Sequence, residues 1–515
     1  MEQQKLHIKG KKLTYVIKIL TLALAVLAQI AVIVIPSVFF GKYMGPIKWI
    51  LEILSILVVL YLVRSDINPV YKIPWIILLL LVPVFGGIVY IIYGRAHFGK
   101  KELKKMHNAS EMARAAIVSK PYYNDELREE NRNISVQADY LFRCAEAPVY
   151  KNTTSRYFPL GDDMFPVLLE ELRKAQKYIF MEYFIVQEGK MLNPILEILE
   201  EKVKEGVEVR FMYDSFGSIL KTPGDFVRSM RKKGIQCYEF NCFRSILDSR
   251  YNNRDHRKIC VIDGEVGFTG GVNLADEYIN TRTIYGQWKD TAIMIKGEAV
   301  WSLVIMFLSL WDVTTKQTDD FSQYAPDKEF HYDDGYVAPY TDYPLDDEPV
   351  GKNVYLNMIH RANHYIYIMT PYLILDNVLA AALSDAAKNG IDVRIITPGI
   401  PDKKLAFMLT QSYYECLIKA GVRIFEYDPG FVHAKIFLSD DETAVVGTIN
   451  LDYRSLTHHF ENAIWMYNNN VIWDIKQDYF NTLEKCHEVS YQDSRKKTVL
   501  EHILLPILRL ISPLF

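Results

Sequence analysis

The chain has 515 residues, half of them hydrophobic and 13% aromatic, with a formal net charge of −3. That composition excludes whole-chain disorder and a collagen-like fibre, leaves room for more than one core, and carries no global basic signal for nucleic acid. The small charge conceals an asymmetry: residues 1–105 hold 14 Lys+Arg against 4 Asp+Glu, a net of +10, and the remainder holds 45 against 58, a net of −13.

Three apolar stretches come first. Residues 19–40 carry no charge, 47–63 contain Lys48 and Glu52, and 73–93 again carry none. About 20 apolar residues span a hydrocarbon core, so 1–105 is predicted as a membrane anchor of two to three transmembrane helices. The basic flank Arg95, Lys100, Lys101, Lys104 and Lys105 predicts a cytoplasmic body. Lys5, Lys9, Lys11 and Lys12 pull the N-terminus to the same side, which three spans cannot satisfy. The hairpin 47–93, turning at 66–69, returns the chain to its starting side.

Residues 106–158 read as a linker. From there strands alternate with helical stretches, and two blocks read alike. The first (159–317) contains Tyr178-Ile-Phe-Met-Glu-Tyr-Phe-Ile185, Gly206-Val-Glu-Val-Arg-Phe-Met-Tyr-Asp214 and Gly234-Ile-Gln-Cys-Tyr-Glu-Phe240. The second (349–498) contains Tyr365-Ile-Tyr-Ile-Met-Thr-Pro-Tyr372, Gly390-Ile-Asp-Val-Arg-Ile-Ile-Thr397 and Gly421-Val-Arg-Ile-Phe-Glu-Tyr427. This alternation predicts an α/β body of two duplicated βαβ half-domains with a mostly parallel sheet. Between them, 318–348 holds ten Asp+Glu and one Lys and reads as a solvated connector. The apolar segment 499–515 docks on the core or lies on a membrane surface. Six scattered cysteines without C-x-x-C or zinc spacing read as reduced thiols.

Each block ends in one constellation, H-x-K-x4-D-x6-G-x-x-N: His256, Lys258, Asp263, Gly270 and Asn273, then His433, Lys435, Asp440, Gly447 and Asn450. Alternate strand residues share a face, so each His–Lys pair points one way. Asp263-Gly264 and Asp440-Asp441 close hairpins, which makes the two motif aspartates candidates for architecture as well as chemistry. The returning strands bring Asn273 and Asn450 back beside the pairs, where a lysine and an amide suit the non-bridging oxygens of a phosphate. Asp290 and Glu461 stand at matching places downstream and are assigned to orient the histidines. A lone H-x-K on a strand is surface decoration; two in register on duplicated domains point to one shared site.

These residues resemble the phospholipase D superfamily, with its paired HKD motif, and within it the bacterial cardiolipin synthases. The carrying segments are 253–258, 263–273, Asp276-Glu-Tyr278, Trp288-Lys-Asp290 and Asn450-Leu-Asp-Tyr-Arg-Ser455, with the front hairpin at Pro74-Trp75 and Val82-Pro-Val-Phe-Gly-Gly87. Two features depart: residues 1–40 precede the usual hairpin, and Gly271 stands where the second motif has Thr448. The resemblance implies phosphatidyl transfer between two phosphatidylglycerol molecules, giving cardiolipin and glycerol through a phosphatidyl-histidine. It implies His256 as nucleophile and His433 as acid/base, the pseudo-symmetry leaving the roles exchangeable. It also implies that Lys258, Lys435, Asn273, Asn450 and Thr448 face the phosphate. Phospholipid substrates, membrane embedding and no metal or other cofactor go with it. Hydrolysis to phosphatidic acid, transfer from a CDP-linked lipid and a non-catalytic scaffold are the alternatives.

Overall fold

The structure, a computed structural model, describes residues 45–514 apart from 66–67, 84–85, 88, 91–99, 119–122, 220, 242–251, 345–347 and 497. The chain divides into two compact units: Met1–Gly99 with Cys242–Asn253 and Pro506–Phe515, and Lys100–Asn241 with Arg254–Leu505.

In the first unit, helices α1 (Gly45–Arg64) and α2 (Pro69–Leu81) pack against each other. The Asn68 side chain accepts the Val70 N–H and Pro69 takes the first helical position, a favourable start for α2. Leu62, Trp75, Leu79 and Tyr90 form a small core, with the Trp75 and Tyr90 rings edge-on at 5.4 Å. Ile53, Leu57, Leu60 and Leu81 point outward and are exposed. Among the described residues no helix is long and apolar enough to cross a membrane. The predicted span 47–63 falls in α1, which carries Lys48, Glu52 and Arg64; 73–93 begins in α2, which has 13 residues. The stretch 19–40 lies outside the described residues.

The second unit holds two large sheets. Its first half supplies β1 (Thr153–Phe158), β2 (Tyr178–Tyr183), β3 (Glu208–Asp214), β4 (Gln236–Phe240), β5 (Ile259–Ile262), β6 (Val266–Gly270), β7 (Gln287–Lys289) and β8 (Ala292–Gly297). Its second half supplies β9 (Tyr336–Asp342), β10 (Tyr365–Met369), β11 (Asp392–Pro398), β12 (Arg423–Tyr427), β13 (Gly430–Val432), β14 (Ile436–Ser439), β15 (Thr443–Gly447), β16 (Glu461–Tyr467) and β17 (Cys486–Glu488). The sheet orders are β1-β8-β6-β5-β2-β3-β4 and β17-β12-β11-β10-β14-β15-β16-β9. Apart from β17 they correspond strand for strand. Gly206 and Gly390, both at φ +93°, end helices at the same place in the repeat.

The sheets are mixed, correcting the expectation of mostly parallel pairing. Only β2-β3-β4 and β10-β11-β12 run parallel; the other pairs within the two sheets are antiparallel. The cause is the motif itself: a tight turn returns the chain at once, and that geometry permits only antiparallel strands. Asp263 and Gly264 have φ of 54° and 68°, Asp440 and Asp441 55° and 59°, and each hairpin closes through three residues, Ile262 pairing with Val266 and Ser439 with Thr443.

The connector is also corrected. Tyr336–Asp342 within it is β9, buried at every residue, and Pro339 is tolerated there because β9 is an edge strand. Asp334, just before it, accepts the backbone N–H groups of Ser155 and Asn470, one from each half. Helix α3 (Lys100–Val118) covers helix α4 (Val300–Thr315), a buried apolar segment that packs on the first sheet and reaches β9. The C-terminal helix Val499–Ile511 leaves Val499, Leu500, Ile503 and Ile507 exposed.

Candidate active site

Short backbone contacts between the halves set the site. The His256 N–H donates to the Phe460 carbonyl at 2.9 Å, and the Phe460 N–H donates to that of Arg254 at 2.8 Å. On the other side β13 pairs parallel with β7, and the His433 N–H donates to the Lys289 carbonyl at 2.7 Å. Each motif histidine is thereby laid beside the segment that carries the other half's carboxylate.

The consequence is a crossed pairing. Nδ1 of His256 lies 2.9 Å from Oε2 of Glu461, and Nδ1 of His433 lies 2.6 Å from Oδ2 of Asp290. Both carboxylates are fully buried and the histidines nearly so. A carboxylate on Nδ1 holds the proton there and leaves the Nε2 lone pair free. Burial is the main reason both imidazoles are pushed to low pKa, His433 to about 4 and His256 well below the ordinary value. Burial pushes the Glu461 carboxyl up, but His256 and His459 together hold it well below the usual carboxylate range.

Glu461 also accepts the hydroxyls of Thr448 and, at 2.7 Å, Ser455. Thr448, expected to face phosphate, is thus turned to the carboxylate, and its side chain is wholly buried. The first half does without that hydroxyl for a steric reason. A Cβ on Gly271 would sit 1.9 Å from Oδ1 of Asp290, so the shorter carboxylate occupies the space a threonine needs.

Lys258 and Lys435 each donate from Nζ to the carbonyl of their own motif histidine, which aims both ammonium groups at the same place. Burial lowers Lys258 to about 7, with the charge of Lys435 adding to it, and Lys435 to about 8. Asn273 accepts the Ile185 N–H and donates to the Tyr278 hydroxyl at 2.8 Å, while Oδ1 of buried Asn450 has no protein partner. The structure therefore brings together His256, His433, Lys258, Lys435, Asp290 and Glu461.

It does not bring Asp263 and Asp440 to that place. They sit at the opposite ends of β5 and β14 from the lysines, on the order of 15 Å away. Asp263 accepts the N–H groups of Gln176, Lys177 and Tyr178; Asp440 accepts those of Asn363, His364 and Tyr365. The expectation of a catalytic role for them is corrected to one of tying each hairpin turn to the start of its neighbouring strand.

Three site residues had no role assigned from sequence: Ser455, Tyr278 and His459. The first two lie in quoted motif segments, and His459 is revealed by register, since it stands where the first half has Trp288. The Trp288 ring is 5.6 Å from that of His433, and the His459 ring 5.3 Å from that of His256. Among the described residues one group could ligate a cation, His256, His459 and Glu461, with ligand atoms within 4.8 Å of one another. Two of its three members already form a proton-holding pair, and the Lys258 charge acts on His256. The donor set suits phosphoryl and proton transfer better than a resident ion.

Known proteins resemble this chain over most of its length. The profile described as cardiolipin synthase, PLD-like domain matches residues 168–304 and 355–484, more than half of the chain. The phospholipase D-nuclease N-terminal profile matches 53–95. An uncharacterized protein of Streptococcus mutans is 45% identical over 88% of this chain and 99% of its own length. Cardiolipin synthase 2 of Bacillus cereus is 35% identical over 87% of each chain. The crystal structure of phosphatidylserine synthase from Haemophilus influenzae shares the fold, with a TM-score of 0.57 at 14% identity over 74% of this chain and 99% of that one. With its duplicated sheets and paired histidine motifs, the chain belongs to the cardiolipin synthase family of phospholipase D-like proteins.

Proposed function

We propose that this protein is a phosphatidyltransferase that makes cardiolipin and glycerol from two molecules of phosphatidylglycerol. The observation that carries the reading is the crossed pair of buried histidine–carboxylate couples, flanked by two lysines, in a chain of this family.

In the first step Nε2 of His256 attacks phosphorus and the bond to the headgroup glycerol breaks. The glycerol oxygen takes a proton from His433, leaving a phosphatidyl-histidine. In the second step the headgroup hydroxyl of another phosphatidylglycerol gives its proton to His433 and attacks phosphorus, releasing His256. Lys258, Lys435, Asn273 and Asn450 balance the charge on the non-bridging oxygens. In the ligand-free site His433 is neutral because burial and the two lysines lower its pKa. The anionic phosphodiester offsets the lysine charges and raises His433 toward the protonated state that the first step needs. Asp263 and Asp440 act through the fold.

We further propose that 1–105 anchors the chain in the membrane with the body on the cytoplasmic side. The apolar stretches, the exposed apolar residues of α1 and the profile match at 53–95 support it. The halves 159–317 and 349–498 follow the anchor; the segment 106–158, expected as a linker, already carries β1 and core residues such as Leu141. The net charge of −13 on the body speaks against a nucleic-acid backbone as substrate.

The test is the product formed by the purified full chain from headgroup- and acyl-labelled phosphatidylglycerol in mixed micelles. Cardiolipin with released glycerol supports the reading; phosphatidic acid without cardiolipin replaces it with hydrolysis. Dependence on a CDP-linked lipid would replace the donor.

A further inference from the structure

His459 is a buried titratable side chain that the reaction above leaves unused. Its backbone N–H is fixed by the Arg454 carbonyl at 3.0 Å, so its place follows from the turn after Tyr453–Thr457. The residue is 8% exposed. Nδ1 lies 3.4 Å from Oε1 of Glu461 but without hydrogen-bond alignment, and neither ring nitrogen has a hydrogen-bond partner in the protein. A buried polar group left unpaired costs about 1–3 kcal/mol, so such groups in native sites are usually completed by a ligand or water.

The surroundings say which ligand. The ring faces His256 at 5.3 Å and Phe184 at 6.5 Å, and Phe184 is itself 5.0 Å from His256. With Nδ1 on the Glu461 side, Nε2 is the nitrogen left for a group attached to His256. The pseudo-symmetric position is Trp288, whose ring packs among Tyr278, Tyr285 and Phe431. The two sides of the site are thus unequal, an aromatic wall beside His433 and an imidazole with a partnerless Nε2 beside His256.

We propose that His459 binds substrate, donating a ring N–H to a non-bridging phosphoryl oxygen of the lipid at His256. This rests on the phosphoryl-transfer reading of the site and adds a third histidine to it, on one side only.

The test compares His459→Phe, which fills the volume, with His459→Gln, which restores a donor, in the full-length purified protein. The substrate is phosphatidylglycerol in mixed micelles, and melting is recorded alongside. The expected result is a loss of about 10- to 100-fold in kcat/KM for the phenylalanine variant, the size of one hydrogen bond to a charged group. The glutamine variant should recover to within about fivefold of the parent. Phenylalanine at parental rate with glutamine impaired would overturn the proposal in favour of packing. Equal losses in both at unchanged melting would overturn it too, because the donor then restores nothing. If the phenylalanine variant melts early, His459→Leu carries the same comparison. If the parent releases phosphatidic acid instead of cardiolipin, the product reading fails, and the same contrast read on phosphatidic acid still decides the role of His459.

Discussion

Replacing Glu461 by glutamine separates the two histidines. The carboxylate comes from the second half yet lies 2.9 Å from the first half's His256. When His256 carries the phosphatidyl group its imidazole is cationic, and the buried carboxylate stabilises that cation. At an effective dielectric of ~20 and charge centres about 4 Å apart the pair is worth about 4 kcal/mol, about three orders of magnitude in rate. Glutamine keeps the shape, so KM should stay within about threefold while kcat falls about 10³-fold. A phosphatidyl-p-nitrophenol substrate sharpens the test, because its leaving group departs without a proton. Asp290→Asn, which disturbs only the acid/base His433, should still give a burst of p-nitrophenolate followed by slow turnover. Glu461→Gln should give no burst. If the carboxylates served the histidines of their own halves the two results would exchange, and a burst with Glu461→Gln would refute the crossed arrangement.

Other outcomes follow from the same geometry. His433→Ala should stop turnover yet leave a phosphatidyl adduct that mass spectrometry places on His256; an adduct on His433 in the reverse variant alone would exchange the roles. Asp440→Asn weakens three backbone hydrogen bonds to a charged acceptor and should lower Tm by several degrees, while the folded fraction keeps its kcat. Gly271→Ala drives a methyl against Asp290 and should cut kcat through His433, with little change in far-UV circular dichroism. In pH profiles, kcat/KM should decline as pH rises through about 7 to 8, where Lys258 and Lys435 lose their protons in the ligand-free site. Stability should move the other way. His433 has a folded pKa of about 4, below its unfolded value of ~6.5. Its contribution is therefore complete above ~6.5 and is lost as pH falls toward 4, which a melting series reads directly.

The duplication was legible in the sequence because strand periodicity and hairpin turns are local. The spacing from His256 to Asn273, repeated from His433 to Asn450, needs only a strand, a tight turn and a returning strand. Sheet polarity is hard to read because strand–helix alternation announces the parallel runs β2-β3-β4 and β10-β11-β12, whereas antiparallel partners such as β1 with β8 and β9 with β16 lie far apart in sequence. The crossing of Asp290 and Glu461 was not legible. It depends on contacts such as His256 with Phe460, residues 204 apart in sequence, that no local pattern encodes. Thr448 departs from expectation for a related reason: a hydroxyl beside a phosphate motif suggests a phosphate contact, but a buried carboxylate accepts it instead. β9 was hidden inside an acidic segment because its own seven residues, Tyr336–Asp342, include a single carboxylate while the residues around them are rich in acid.

The central claim is that one site, built from both halves, transfers a phosphatidyl group to a lipid alcohol rather than to water. The most direct measurement is the stoichiometry of products from doubly labelled phosphatidylglycerol with the purified full-length protein. The account predicts one cardiolipin for each glycerol released. Glycerol released with an equal amount of phosphatidic acid, and no cardiolipin, would contradict it.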